Sequence, residues 1–304
     1  MNTLKIIKEG SNLLKRNNIP SNILDSEILL SKTLKKSREE VLINLEKKVS
    51  KKDILVFKNY LKRRSNNEPI AYILGEKEFW SKKFIVSKDT LIPRPDTEIL
   101  VDQILKINKE KKISILDIGT GSGCIILSLL DNLEHSNGVG IDISKNAILI
   151  AKRNALKHNL SCRVKFLNKS LDEIVNKKFD LIVSNPPYIM RKDIKNLSDD
   201  IKKHEPRMAL DGGNDGLDVI KKVIYKSNYI LKTNGMLALE IGDKQIKKVS
   251  KILTVKNFRI KNVTKDFKNN VRCVFAIKNK WIIIEEEIIG LGHKKIILEG
   301  EVVH

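Results

Sequence analysis

Asn185-Pro186-Pro187-Tyr188 is the stretch of this chain whose residue types carry the most specific chemistry. It follows Phe179-Asp180-Leu181-Ile182-Val183-Ser184, which reads as a buried strand. Asn185 is therefore expected at the carboxyl end of that strand, where open α/β sheets bind ligands. The two prolines lock φ and remove two backbone N–H donors. What remains nearby is acceptors: the Asn185 side-chain oxygen and the Pro186 carbonyl. Such a pair suits an –NH2 group, which offers two N–H donors in one plane. Tyr188 adds a flat, mostly apolar wall. Taken alone, Asn-Pro-Pro is an ordinary turn signal, so the case rests on its companions.

Residues Ile113 to Ser122 read I-S-I-L-D-I-G-T-G-S, with Gly123 next. An apolar strand ends at Asp117. The turn Gly119-Thr120-Gly121-Ser122-Gly123 leads into a helical run from Cys124 to Leu130. Glycines let backbone approach a ligand closely, although the pattern here is G-x-G-x-G rather than the dinucleotide fingerprint G-x-G-x-x-G. The next strand, Gly138-Val139-Gly140-Ile141-Asp142, ends in an acid about 20 residues beyond the glycines, where a carboxylate can take both ribose hydroxyls. Three strand ends thus carry ligand-type residues. The combination points to a nucleoside-containing cofactor with a substrate amide or amine beside it.

With these residues the chain resembles S-adenosylmethionine-dependent methyltransferases. More narrowly, it is similar to the N(5)-glutamine methyltransferases of peptide chain release factors, the PrmC/HemK family. The resemblance runs collinearly from about Glu68 to Ile277. It takes in Glu68 to Gly75, Glu78-Phe79-Trp80, Leu91-Ile92-Pro93-Arg94-Pro95-Asp96-Thr97-Glu98, and His204 to Gly213 with Asp215-Gly216-Leu217. The glycine turn and Asp142 are common to many methyltransferases, and Asn-Pro-Pro-Tyr is shared with enzymes that methylate adenine. The Ile-Pro-Arg-Pro-Asp-Thr-Glu segment is the specific part. The resemblance implies a Rossmann-like class I methyltransferase fold, α/β, with a small N-terminal helical bundle. It implies S-adenosylmethionine as cofactor, leaving as S-adenosylhomocysteine, with no metal.

The roles it implies are these. Asp117, Gly119, Thr120, Gly121, Ser122 and Gly123 would serve the cofactor, the glycine turn lining its methionine and ribose. Asp142 would bind the ribose hydroxyls, with Leu171 and Asn185 also at the cofactor. Asn185, Pro186, Pro187 and Tyr188 would hold a substrate glutamine, Asn185 and Pro186 being the catalytic pair. Two departures stand out. Ser170 and Leu171 occupy the positions where many members have an acid and an aromatic near the adenine. Asn269 stands where glycine is usual in the run Asp266 to Arg272, and asparagine also tolerates left-handed backbone.

A glutamine amide nitrogen is a poor nucleophile because its lone pair is delocalised, so catalysis is expected to rest on placement in line with the sulfur–carbon bond. Fixed acceptors would stabilise the positive charge that develops on nitrogen. No histidine or paired carboxylate adjoins the motif as a base.

The 304 residues suit more than one domain, and 41% hydrophobic content is enough for a core. Residues 1–75 show helical periodicity and read as a helical substrate-docking domain, with a stabilising cap as the plainer alternative. Residues 76–110 read as a β-hairpin and linker helix, the hairpin forming one wall of the site, with Asp96 or Thr97 capping a helix from Glu98 to Ile107. Residues 111–280 alternate strand and helix, as in a mostly parallel catalytic sheet with an antiparallel edge pair. Residues 281–304 form an extension of unknown role, strand-like from Trp281 to Ile284 and Lys295 to Leu298. No apolar run is long enough to cross a membrane, and the N-terminus lacks a secretory signal. Cys124, Cys162 and Cys273 give neither metal spacing nor a disulfide framework, which suits the cytoplasm. The net charge of +21 fits RNA or acidic partners, but lysines are spread along the whole chain, and compositional bias is weighed above function. The expected partners are release factors, with no stable DNA partner and no membrane, for a monomer. Two other readings compete: an adenine-N6 methyltransferase on DNA or RNA, and a translation-associated binding module with a decayed site.

Overall fold

Short polar residues ahead of apolar runs start the N-terminal helices. In the computed structural model, α1 (Thr3–Arg16) is capped by Asn2, whose side chain accepts from Lys5 N, and α2 (Asn22–Leu34) follows Pro20 and Ser21. A capping box of Ser37 and Glu40 opens α3 (Arg38–Ile43), and Ser50 accepts from Asp53 N to open α4 (Lys51–Ser65). Then α5 (Ile70–Leu74) ends on Gly75. The structure describes residues 1–175, 177–266 and 268–279, and the backbone of 282–287 and 294–299. Its contacts separate two compact units: Met1–Lys77 with Ile85–Lys88 and Asn196–Glu205, and the remainder.

The first unit buries Ile6, Leu14, Leu29, Leu30, Phe57 and Leu61 against one another. Several apolar residues on the same helices face outward instead: Leu13, Ile23 and Leu55 are exposed. Beneath this core Arg64 Nε donates to Asp25 Oδ2 at 2.7 Å, with both side chains buried.

Strands β1 (Glu76–Phe79) and β2 (Lys82–Ile85) make a hairpin. Its two turn residues, Trp80 and Ser81, have φ of 51° and 56°, the sign that matches a hairpin's right-handed twist. The Glu98 carboxylate accepts from Trp80 N and ties the turn to the next helix. That helix, α6, runs Pro95–Asn108 with Arg94 as its N-cap, three residues earlier than the expected start at Glu98. The reason is Pro95: its fixed φ favours the first helical turn, where a missing N–H costs nothing.

The second unit is built on a seven-stranded sheet in the order β5-β4-β3-β6-β7-β9-β8. The strands are β3 (Ser114–Ile118), β4 (Asn137–Asp142), β5 (Val164–Asn168), β6 (Phe179–Ser184), β7 (Leu231–Glu240), β8 (Phe258–Lys265) and β9 (Val271–Lys278). The first five are parallel, and β9 pairs antiparallel with both β7 and β8. Helices α7 (Cys124–Asn132), α8 (Lys145–Lys157), α10 (Asp218–Ile230) and α11 (Ile246–Val255) cover its faces, and the short α9 (Asp199–His204) belongs to the first unit. Side-chain alternation divides two cores. Ile115, Leu181, Val183 and Ala238 pack with α6, α7 and α8, while Leu116, Ile182, Leu237 and Leu239 pack with α10 and α11.

Asn269 has φ of 66°, so the turn usually made by glycine is kept by asparagine. The Asp266 carboxylate holds it by accepting from Lys268 N and Asn270 N, and from Arg272 Nη2 at 2.7 Å. Strands β10 (Ile282–Glu287) and β11 (Lys294–Glu299) pair antiparallel with each other as a separate two-stranded sheet, and do not extend the seven-stranded one. Trp281 lies outside the described residues.

Candidate active site

The sheet's parallel strands deliver their carboxyl ends to one side of the second unit, and a cavity of about 300 Å³ opens there. Its walls come from the ends of β3, β4 and β6, from Asp89-Thr90-Leu91, from Lys169-Ser170-Leu171, from Pro206, Met208 and Ala209, and from α10. Its volume lies at the small end of ligand sites.

Gly119 and Gly121 line the cavity, with φ of 71° and 54°. Nothing within 4 Å would meet a Cβ built at Gly119, so the bare backbone there faces open cavity. Asp142, at the end of β4, also lines it. Its carboxylate accepts from Gly121 N and Ser144 N, each at 2.9 Å. These two bonds aim the group and leave acceptor capacity on both oxygens. Burial raises its pKa above the usual aspartate value, and the backbone N–H bonds offset part of that rise.

Asp117, Thr120, Ser122 and Gly123 do not reach the cavity wall. Asp117 is wholly buried behind the glycine turn. Its Oδ2 accepts from Thr120 Oγ1 at 2.7 Å, while Oδ1 has no hydrogen-bond partner among the described residues. Burial pushes its carboxyl up to about 7, against the Thr120 bond that lowers it. Burial disfavours the charged form of the acid. Ser122 and Gly123 hold the turn to the α7–α8 layer, with Ser122 O accepting from Asn154 Nδ2. Leu171 and Ser170 line the cavity beside Ile143, so this end is apolar with a hydroxyl rim.

On the other side stand Asn185, Pro186 and Pro187. Asn185 Nδ2 donates to Thr97 Oγ1 at 3.1 Å, and Thr97 Oγ1 donates to Glu240 Oε2 at 2.6 Å. Because Nδ2 is turned to Thr97, the Asn185 atom left toward a ligand is the oxygen. Tyr188 does not line the cavity; its hydroxyl donates to Glu240 Oε1 at 3.2 Å. A buried carboxylate on β7 thus ties down both ends of the Asn185–Tyr188 stretch. Behind it, Gln245 Nε2 donates to the carbonyls of Tyr188 and Gly216, each at 3.1 Å. The connection after the motif doubles back: Ile189 N donates to Leu210 O, and Gly212 N to Ile189 O. A Cβ on Gly216 would lie 2.5 Å from Tyr188 O, so only glycine lets this backbone pass.

Several expected positions fall elsewhere. From the hairpin region, Asp89, Thr90 and Leu91 reach the cavity, and the strands β1 and β2 do not. His204 lies outside it, with its ring Nε2 3.1 Å from Asn66 O. Thr97, Glu240 and Gln245 carried no recognisable signal for this site beyond Thr97's place in the Pro-Arg-Pro-Asp-Thr-Glu segment. Among the described residues, no group of three or more His, Cys, Asp or Glu could hold a metal, and no helix is long and apolar enough to cross a membrane.

The architecture and the sequence have relatives. Two family models match: the PrmC N-terminal domain over residues 5–75 and the methyltransferase small domain over 78–269. A release factor glutamine methyltransferase of Buchnera aphidicola subsp. Schizaphis graminum is 47% identical over 255 residues, covering 84% of this chain and 92% of that one. One from Fusobacterium nucleatum is 37% identical over 298 residues, covering 95% and 84%. A crystallised methyltransferase from Pyrococcus furiosus, at 18% identity, shares the fold with a TM-score of 0.51 over 73% of this chain and 99% of that one. The parallel sheet with its antiparallel end is that of a class I methyltransferase. Gly119 and Gly121 of the glycine turn, the strand-end Asp142, and Asn185, Pro186 and Pro187 converge on one cavity, in a chain most of which aligns with the Buchnera and Fusobacterium enzymes. The chain therefore belongs to the release factor glutamine methyltransferase family.

Proposed function

We propose that this enzyme transfers a methyl group from S-adenosylmethionine to the side-chain amide nitrogen of the glutamine in the Gly-Gly-Gln motif of peptide chain release factors, in the cytoplasm. The observation that carries the reading is the Asn185 amide: it lines the cavity with its nitrogen bound to Thr97 and its oxygen left as an acceptor. Family membership supports the same substrate class, since the Buchnera and Fusobacterium relatives are named for release factor glutamine.

The cavity fits the cofactor. Asp142 presents a carboxylate for the ribose hydroxyls, and the bare Gly119 backbone leaves room for the chain beyond it. Ile143 and Leu171 would offer apolar faces to the adenine, and the Ser170 position offers a hydroxyl where an acid is usual. S-adenosylmethionine, when bound, supplies an electrophilic methyl carbon on sulfonium. The Asn185 oxygen and the Pro186 carbonyl accept the two N–H groups of the glutamine amide and hold its nitrogen toward that carbon. They gain strength as positive charge grows on nitrogen. Methyl transfer would form a nitrogen–carbon bond as the sulfur–carbon bond breaks, and the amide proton would leave to water. We further assign residues 1–75 to docking the release factor.

Labelled S-adenosylmethionine, offered with purified release factor, with a factor substituted at the motif glutamine, and with DNA, tests the proposal. Label should appear only on the unsubstituted factor, and Asn185→Ala should abolish it while the variant still folds. Label on DNA alone, or full activity in Asn185→Ala, overturns the reading.

A further inference from the structure

Asn185 is useful as an acceptor only if its amide is held the right way round, and an amide turned by half a turn presents –NH2 instead. Nothing in the side chain itself prefers one face, because oxygen and nitrogen have nearly the same shape. The preference must come from the neighbour. That neighbour is Thr97 Oγ1, which has one hydrogen and can either donate it to Asn185 or accept from Asn185. Thr97 is buried, and its hydrogen is already committed at 2.6 Å to Glu240 Oε2. A carboxylate has no hydrogen to give, so Thr97 must donate to it and is left with lone pairs toward Asn185. Asn185 then has to present Nδ2 to Thr97, as it does at 3.1 Å, and its oxygen goes to the cavity side.

We propose that Glu240 and Thr97 form a positioning relay: the negative charge of Glu240 fixes the direction of the Thr97 hydroxyl, which fixes the Asn185 amide with its oxygen toward the substrate –NH2. The inference rests on the reading that a substrate amide docks on Asn185. Glu240 also accepts from the Tyr188 hydroxyl, so one carboxylate orients both ends of the motif.

The charged and titratable surroundings suit such a role. Glu240 is buried at the end of β7, and burial lifts its carboxyl to about 6, against the Thr97 bond, the Arg272 charge and the Tyr188 bond, which lower it. Asp96, from α6, adds a like charge, and Cys273 faces Glu240 from β9. Arg272 is in turn held by Asp266 at 2.7 Å and lies 3.5 Å from Asp96. Glu240 is therefore mostly ionised at neutral pH and takes a proton in mild acid. A protonated Glu240 can donate to Thr97. The Thr97 hydrogen is then free to point at Asn185, and the amide loses its reason to face one way. A donor facing a donor would replace the acceptor.

The test uses the full chain with release factor as methyl acceptor. Wild-type labelling of the motif glutamine, absent from the glutamine-substituted factor, first establishes the underlying reading; without it the reading falls and the relay with it. Given that labelling, Thr97→Val removes the hydroxyl at nearly constant shape. It should lower kcat about 10- to 100-fold, the scale of a misplaced reacting group. Cofactor affinity, measured by calorimetry, should stay within about twofold, because Thr97 does not line the cavity. Thr97→Ser restores the hydroxyl and should bring kcat back to within a few-fold of wild type, about one kcal/mol or less. Wild-type kcat should fall as pH drops through about 6. Glu240→Gln, which can donate as well as accept, should lower kcat at pH 8 and abolish that acid-side fall. Wild-type kcat in Thr97→Val, or an unchanged acid limb in Glu240→Gln, overturns the relay. Should Thr97→Val not fold, Thr97→Ser and the two pH profiles decide it.

Discussion

Two glycines of one loop, Gly119 and Gly123, should respond oppositely to the same alanine substitution. Both have left-handed backbone, with φ of 71° and 80°, so each alanine carries a conformational cost of about 1–2 kcal/mol. The surroundings then part them. A Cβ at Gly119 meets nothing within 4 Å, whereas one at Gly123 lies 3.1 Å from Phe166 Cζ, 3.2 Å from Leu127 Cδ1 and 3.3 Å from Ala151 Cβ. All three neighbours are buried and packed in the core beside α7 and α8, with little room to give. Overpacking of that kind adds about 1–3 kcal/mol. Gly123→Ala is thus expected to lose roughly 2–5 kcal/mol, and Gly119→Ala only about 1–2 kcal/mol. Binding should reverse the order. Gly119 lines the cavity, so its new methyl occupies ligand space; about tenfold weaker binding of S-adenosylmethionine corresponds to 1.4 kcal/mol. Gly123→Ala, where it remains folded, should bind nearly normally. Urea unfolding by circular dichroism gives the stabilities, compared through the midpoint of the larger unit, and calorimetry gives the affinities. Equal stability losses in the two variants would refute the packing argument, and normal binding by Gly119→Ala would refute the placement of the ligand over that backbone.

Asp117, buried with a carboxyl lifted to about 7, contributes stability that is fully present below the unfolded value near 3.8 and is lost as pH rises through 7. Asp117→Asn should therefore remove part of the decline in unfolding free energy between pH 4 and 7, at most about 1.4 kcal/mol per pH unit, read from urea titrations at several pH values. In the N-terminal helical unit, Asp25→Ala leaves the buried Arg64 charge unpaired and should cost about 3–5 kcal/mol. Adding Arg64→Met should return much of that loss, as followed by thermal melting of residues 1–77. Of the three thiols, Cys162 is exposed, while burial pushes Cys124 and Cys273 up to about 12. A chromogenic disulfide should titrate one thiol rapidly in the native protein, and all three in denaturant.

The residues that line the cavity were legible because local rules mark them. Asn185, Gly119 and Asp142 each stand at the carboxyl end of a strand or just beyond it, and each reaches the cavity. The helix start at Lys51 follows from the capping Ser50 just before it in sequence. What escaped was whatever depends on long-range pairing. Thr97 and Glu240 are 143 residues apart in sequence, and Thr97 and Asn185 are 88 apart. Glu240 reads as an acid near the end of an apolar strand, with nothing local to separate a buried acid from one turned to solvent. Tyr188 was expected as a wall because its ring is flat and mostly apolar. The structure turns its hydroxyl to Glu240, a partner no window around residue 188 contains. The α6 boundary failed for a different reason, since a capping search favours Asp96 and Thr97, whereas Pro95 starts the helix by its fixed φ.

Register explains why residues so far apart act at one place, and why their neighbours could not substitute. Asp117 pairs with Gly140 on β4 and Val183 on β6, and Val183 with Ala238 on β7. Two residues further along each strand come Gly119, Asp142, Asn185 and Glu240, which therefore stand at one height on one face. Strands are spaced about 4.8 Å apart, so Asp142 and Asn185 lie about 10 Å apart across β3, with Glu240 one strand beyond. A strand-end carboxylate, a bare backbone, a side-chain amide and a buried carboxylate thus follow one another in a row. Shifting any of these strands by a single residue would exchange the faces. The acid of β7 would then take the place of Leu239 or Ile241, which are buried in the core on the α10 side of the sheet, away from Thr97 on α6. Glu240 can reach Thr97 from its own position alone, and the apolar residues on either side of it, by fixing which face is buried, hold the acid to that task.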